Sequence, residues 1–218
     1  ESLIQAILNN LPESIIFIVD DSKTKEIGNL ISSKNLKAKY FHRENSKGRG
    51  SAVLFGINKA LEENRFNTFI EMDADFSHNP KELKKNIEYF STNALDLLIA
   101  SRYLKDSKII NWGHNRRIFS KLSNLLTRNL LGIKIKDFTN GFRIYSKRAA
   151  EKITKKCGNI GDGFIILSEI IVVLKNNSFN IGETETIFVN RVRGESSVNI
   201  KLIIDSLYGI LKLYFIKN

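Results

Sequence analysis

Apolar runs that stop abruptly at acids set the pattern of this chain. Residues 2–11, SLIQAILNNL, place Leu3, Ile4, Ile7, Leu8 and Leu11 on one helical face. IIFIVDD follows, a β-branched run closing on Asp20 and Asp21, which is the form of a buried parallel strand with polar residues at its carboxyl end. That form returns in NTFIEMDAD, which closes on Asp73 and Asp75, and in LDLLIASRY, apolar from Leu97 to Ala100 before Ser101 and Arg102. Between these strands, residues 51–65 have helical spacing. NPKELKKNIEYF offers Asn79 as an N-cap, Pro80 at the first helical position and Glu82 where a capping box places its acid. Strand and helix in alternation predict an α/β fold with a largely parallel sheet. Sheets of this kind bind ligands beyond the strand carboxyl ends, so Asp20, Asp21, Asp73, Asp75 and Arg102 are expected in one crevice. A βαβ layout wants a strand ahead of its first helix, and we expect that strand upstream of Glu1.

Composition narrows the partners. The 218 residues suit one domain, and 42% hydrophobic with 26% charged residues is ordinary for a globular chain with a sizeable core. Thirty-four Lys and Arg against 23 Asp and Glu give +11, which calls for an anionic partner: nucleic acid, a membrane surface or a phosphorylated substrate. The lone Cys157 excludes an internal disulfide and a cysteine metal cluster. No signal peptide is recognisable, and no apolar run approaches the roughly 20 residues that span a bilayer. Residues 199–218 form an apolar stripe through Ile200, Ile203, Ile204, Leu207, Leu211, Tyr214 and Phe215 with lysines between. It suits either a membrane interface or the domain's own core.

Four constellations carry candidate chemistry. Asp73-Ala74-Asp75, straight after a buried strand, suits Mg²⁺ or Mn²⁺, hard cations that take one or two carboxylates plus substrate phosphates. In HRENSKGRGSA, Lys47, Gly48, Arg49 and Gly50 precede a helix and offer either a phosphate-binding turn or a flexible basic one. Arg102, Arg116, Arg117, Arg128 and Arg143 gather with Ser120 in a basic middle, where arginine forks suit phosphate oxygens. Trp112 and Phe119 read there as packing residues. NRVRGESS supplies Arg191 and Arg193 around a turn. His42, His78 and His114 have no metal-ligand spacing and read as surface or loop residues.

The strings IVDDS, HRENSKGRGSA, EMDADFSHNP, IASRY, Trp112 followed by RRIFS, DFTNGFRIY and FVNRVRGESS, in this order, resemble the inverting family-2 glycosyltransferases of the dolichol-phosphate mannose synthase type. The resemblance implies a GT-A fold over residues 1–198, a first strand that is missing, and residues 199–218 as a C-terminal amphipathic helix. It implies an inverting transfer of a hexose, mannose or glucose, from a nucleotide sugar (GDP-mannose or a UDP-sugar) to a polyprenyl monophosphate. By the same resemblance Glu1, Asp20, Asp21 and Lys47 belong to the donor site, and Asp73, Asp75 and Ser77 hold the metal and diphosphate. Arg102, Arg116, Ser120 and Arg191 hold the acceptor and donor phosphates. Peripheral attachment to the cytoplasmic face of a membrane is expected, and no nucleic acid. The chain departs from the pattern at SKTKE, where a Gly/Pro-rich turn is usual, at Ser197 for lysine and at Leu167 for glutamine. Two rivals remain open: a family-2 enzyme acting on a hydroxyl acceptor with Asp137 as base, and a basic nucleic-acid-binding protein without a metal.

Overall fold

The computed structural model describes residues 1–44, 48–161, 163, 165–190 and 208–215. Helix α1 (Ser2–Asn10) opens the chain and β1 (Ile16–Asp20) follows. Next come α2 (Glu26–Ser33), β2 (Ala38–His42), α3 (Arg49–Glu62), β3 (Thr68–Glu71), α4 (Leu83–Thr92) and β4 (Leu97–Ser101). Then follow β5 (Lys108–Ile110), α5 (His114–Leu131), β6 (Arg143–Ser146), α6 (Lys147–Lys156), α7 (Ile165–Asn176), β7 (Ile181–Glu185) and β8 (Ile187–Val189).

Among the described residues, three of the five strand pairings are parallel: β1 with β2, β4 with β7, and β5 with β8. The four-stranded sheet has the order β3-β6-β4-β7, and β6 runs antiparallel to both of its neighbours. Because β3 and β4 both oppose β6, their carboxyl ends share one sheet edge. That edge is where the sequence pattern places its acids. Among the described residues no ladder joins β1 to β3, and α3 packs across both.

Burial follows the pattern of a sheet covered on its faces. All five residues of β4 are buried. The principal core joins Leu97 and Ile99 to α6 through Ala149, Ala150 and Ile153 and to α7 through Ile166, Ile170 and Ile171. Residues 208–215 are helical, and their Ile210 and Leu213 enter the same core. This helix therefore packs on the domain through Ile210 and Leu213, whereas Leu211, Tyr214 and Phe215 of the expected stripe are exposed, and residues 199–207 and 216–218 lie outside the described residues.

Glu82 differs from its expected role. Asn79 does cap the turn, its Oδ1 accepting from the Lys81 N–H at 3.0 Å. Glu82 instead reaches across the fold, accepting from Thr186 Oγ1 at 2.7 Å and from the Ile187 N–H at 2.9 Å. Its carboxylate pins the first turn of this helix to the link between β7 and β8 in place of closing a capping box.

Candidate active site

Beyond β3 the chain makes a tight acid-bearing turn. Phe76 there has φ +61°, a left-handed conformation that costs a bulky residue of order 1 kcal/mol or more and persists where neighbours enforce it. The enforcing bonds are local and distant. The Ser77 N–H donates to Asp75 Oδ1 at 3.0 Å, and the Val189 N–H donates to the Ser77 carbonyl at 3.1 Å. The Asp73 N–H donates to His78 Nδ1 at 3.1 Å. With Nδ1 accepting, the ring proton belongs on Nε2, which meets Asn140 Oδ1 at 3.1 Å.

His78 is thus no surface histidine. It is wholly buried, stacked on Phe142 at 5.3 Å and edge-on to Phe188. Burial lowers its pKa, against the opposite pull of Asp73, and keeps it neutral. It is the post behind the acid turn.

Arg49, the first residue of α3, lies across the two acids at the end of β3. Its Nε and Nη2 donate to Asp73 Oδ1 at 3.0 and 2.7 Å, and its Nη1 to Glu71 Oε1 at 2.8 Å. Glu71 Oε2 accepts from the Tyr145 hydroxyl at 2.7 Å. A Cβ on Gly141 would overlap the Arg49 guanidinium, so a glycine there keeps the arginine's place open. Burial raises the Asp73 pKa, but the Arg49 charge and the other cations nearby outweigh it and hold the carboxyl below its usual range.

The oxygens left over decide what this turn can bind. Both Arg49 bonds to Asp73 land on Oδ1, leaving Oδ2, which lies 3.8 Å from His78 Nε2. Asp75 is exposed, and its Oδ2 has no protein partner among the described residues. Two carboxylate oxygens and the Ser77 hydroxyl therefore come from one turn. No group of three or more His, Cys, Asp or Glu stands ready to hold a metal among the described residues. The donor set fits a hard divalent cation completed by substrate phosphates, and does not fit a self-contained protein cage.

On one side of this turn, Asp20 is buried and accepts from the Ser22 N–H at 2.9 Å and from Tyr40 Oη at 2.8 Å. Burial raises its pKa, and those bonds more than offset the rise. Asp21 takes the Arg43 fork at 2.7 and 2.5 Å, and Arg43 reaches on to Ser51 Oγ at 3.1 Å. Arg43 thereby ties the end of β1 to the start of α3, which carries Arg49. Glu1 stands apart: it pairs with Lys34 at 2.5 Å, just past the end of α2, and no described bond joins it to the acid turn. Lys47 and Arg191 lie outside the described residues.

On the other side the basic middle separates into different roles. Arg102 is buried, and its backbone N–H and Nε donate to Asp137 Oδ2 at 2.9 and 2.8 Å. Its Nη2 donates to Asp137 Oδ1 at 2.8 Å and to Thr139 Oγ1 at 2.7 Å. Most of the fork expected to hold a phosphate is thus spent on an aspartate. Asp137 is fully buried and also accepts the N–H groups of Thr139 and Asn140. Burial raises its pKa, but Arg102 and these bonds hold it below the usual range, so it has no lone pair at liberty to act as a base.

Arg143 is likewise no phosphate ligand. It is completely buried, and it donates to the carbonyls of Asn140, Leu167 and Phe138, clamping the loop ahead of β6 to α7. Arg116 is the better placed cation. Arg102 and Arg116 lie 5.3 and 4.3 Å from the centroid of the Trp112 ring, and Arg116 Nη1 donates to Asn190 Oδ1 at 3.2 Å. The Trp112 Nε1–H is buried and has no partner among the described residues. Ser120 joins this group by accepting from Tyr103 Oη at 2.6 Å.

The structure therefore brings Asp73, Asp75 and Ser77 into one turn and links them through His78, Asn140 and Asp137 to Arg102, Trp112 and Arg116. Asn140 went unrecognised in sequence, Arg49 was expected only in a phosphate-binding or flexible basic turn, and His78 only as a surface or loop residue. The one available signal was the presence of His78 in the same short segment as the aspartate pair.

Known proteins resemble this chain in sequence and in fold. The model of glycosyl transferase family 2 matches residues 1–154. The polyprenol monophosphomannose synthase of Mycolicibacterium smegmatis is 30% identical over 203 residues, covering 91% of this chain and 76% of that protein. The undecaprenyl-phosphate mannosyltransferase of Micrococcus luteus is 28% identical over 206 residues, covering 93% and 83%. A crystal structure of glucosyl-3-phosphoglycerate synthase from Mycobacterium tuberculosis with Mn²⁺, UDP-glucose and phosphoglyceric acid aligns over 99% of this chain and 76% of that one. The TM-score is 0.61 at 13% identity, a likeness of fold. With an acid turn at the sheet edge and a family model spanning most of its length, the chain belongs to glycosyltransferase family 2.

Proposed function

We propose that this chain transfers a hexosyl group from a nucleotide sugar to a polyprenyl monophosphate, with inversion at the anomeric carbon. GDP-mannose is the first choice of donor and a UDP-sugar the second. The observation that carries this reading is the closed state of Asp137. A hydroxyl acceptor needs a base, and Asp137, the carboxylate held beside the end of β4, is saturated by hydrogen bonds. A phosphate monoester needs no strong base, because it already carries negative charge near neutral pH. It needs cations and N–H donors, which Arg116 and the Trp112 indole offer. The names of the two relatives point the same way.

In the reaction an acceptor phosphate oxygen attacks the anomeric carbon as the bond from that carbon to the departing diphosphate breaks. Asp73, Asp75 and Ser77 would hold Mg²⁺ or Mn²⁺, which when bound neutralises charge on the leaving diphosphate. Arg49 keeps Asp73 ionised, and His78 fixes the turn so that both carboxylates present one oxygen each. Asp20, Asp21 and Arg43 form the wall toward the donor nucleoside. Arg116 and Ser120 orient the acceptor phosphate, with Arg102 as their support. The lipid acceptor places the reaction at a membrane surface, on this reading the cytoplasmic face; no helix among the described residues is long and apolar enough to cross a membrane.

The test is transfer of label from a panel of radiolabelled nucleotide sugars, offered polyprenyl phosphate and, separately, glycan hydroxyl acceptors. Label in the lipid supports the reading and names the sugar. Label in the hydroxyl acceptor alone overturns it.

A further inference from the structure

Glu71, Asp73 and Asp75 follow one another at alternate positions along the end of β3 and its turn. Three neighbouring carboxylates would attract a hard divalent ion without help from a substrate. Arg49 prevents that. Its Nη1 takes Glu71 Oε1 at 2.8 Å, and its Nε and Nη2 take Asp73 Oδ1 at 3.0 and 2.7 Å. Glu71 is buried and wholly spent in this arrangement, since its Oε2 accepts from the Tyr145 hydroxyl at 2.7 Å. The work of Glu71 is therefore to hold a guanidinium against Asp73.

Bracing the turn does not require that charge. His78 Nδ1 already accepts from the Asp73 N–H, and the Val189 N–H already holds the Ser77 carbonyl. What Arg49 adds is a permanent cation, because a guanidinium stays ionised at any working pH. It leaves the acid cluster one unit less negative and lies against the carboxylate whose other oxygen faces the ligand. Charges this close, partly shielded from water, interact strongly. A bare divalent cation at Asp73 is repelled by Arg49. A nucleoside diphosphate remains an anion even after it takes up such a cation, so the complex of the two is attracted. One fixed charge thus acts with opposite signs on the ion alone and on the ion carried by a diphosphate.

We propose that Arg49 is a charge filter on the acid turn, disfavouring a bare divalent cation at Asp73 and favouring the same cation brought by a nucleoside diphosphate. The ion and the donor then load as one unit. This inference rests on the metal and diphosphate reading of the turn given above.

The test is calorimetric titration of the full chain with Mn²⁺ alone, with Mn²⁺–GDP and with Mn²⁺–UDP, and no transfer is measured. Wild-type protein is expected to bind Mn²⁺ alone weakly and one of the complexes more tightly. Arg49→Gln should bind bare Mn²⁺ about tenfold or more tightly than wild type and the complex more weakly by a similar factor. Arg49→Lys, which keeps the charge, should retain the wild-type order. Glu71→Gln removes a carboxylate and keeps the guanidinium, so both shifts should reverse. If Arg49→Gln shows no folded thermal transition, Glu71→Gln decides alone. A purely structural arginine would move both affinities down together in Arg49→Gln, and that result overturns the proposal. Bare Mn²⁺ binding that is indifferent to Arg49→Gln, or tightened by Glu71→Gln, overturns it as well. A wild type that binds neither complex overturns the donor reading and this inference with it, whereas a wild type that binds a complex, with bare Mn²⁺ indifferent to Arg49→Gln, overturns this inference alone.

Discussion

Arg49–Asp73 at the end of β3 and Arg102–Asp137 beside the end of β4 use the same two residue types at the same sheet edge, yet they leave different surfaces behind. In the first pair both arginine bonds to Asp73 fall on a single oxygen, and the side chain of Asp73 remains 35% exposed. In the second, both oxygens of Asp137 are occupied and its exposure is zero. A carboxylate with an oxygen to spare at a crevice can meet a ligand, whereas one closed by its partners can only hold the loop around it. Position at a strand end locates the crevice, and hydrogen-bond saturation separates chemistry from scaffold.

Breaking the closed pair is expected to cost the most stability. Asp137→Asn leaves Arg102 buried beside a neutral amide, and removing one member of a buried ion pair costs about 3–5 kcal/mol. Urea denaturation at neutral pH reads it directly. The sign with pH follows from the lowered pKa of Asp137. Its contribution is present above the unfolded carboxylate value, about 4, and is lost as pH falls through the lower folded value. The gap between wild type and Asp137→Asn should therefore close below about pH 4, and a gap that stays constant into acid would refute the assignment.

At the open pair the largest effect is on chemistry. Asp75→Ala is expected to reduce sugar transfer at least about a hundredfold while leaving the urea midpoint nearly unchanged, because Asp75 is exposed and braces little else. Arg49→Met falls between these cases. It leaves Glu71 and Asp73 as neighbouring carboxylates without their shared cation and should lower stability by about 2 kcal/mol together with activity. Tyr145→Phe removes one bond to Glu71 and should cost about 1 kcal/mol, mostly in stability. If Arg49→Met instead raised activity, the arginine would be a competitor for the metal site and not its support.

How far the sequence could be read follows from how local each signal is. β1, β3 and β4 were visible because an apolar run stops at a polar residue within one short segment, and that pattern places Asp73 and Asp75. β6 was not, since Arg143–Ser146 is a four-residue strand running straight into α6, and its antiparallel direction depends on partners far along the chain. His78 and Glu82 looked incidental or local because their true partners, Asn140 and Thr186, lie 62 and 104 residues away. Arg102 and Arg143 read as phosphate ligands for the same reason: sequence reports the guanidinium but not the carboxylate or carbonyls that consume it. The apolar spacing of α5 is equally mute about direction, since periodicity marks a face without saying whether that face looks inward.

The most direct measurement on the open turn is Mn²⁺ binding, followed by paramagnetic resonance, with and without a nucleoside diphosphate, in wild type, Asp75→Asn and Asp137→Asn. Binding that requires the diphosphate, disappears in Asp75→Asn and survives in folded Asp137→Asn is the expected result. Equal Mn²⁺ binding in wild type and Asp75→Asn would contradict the account.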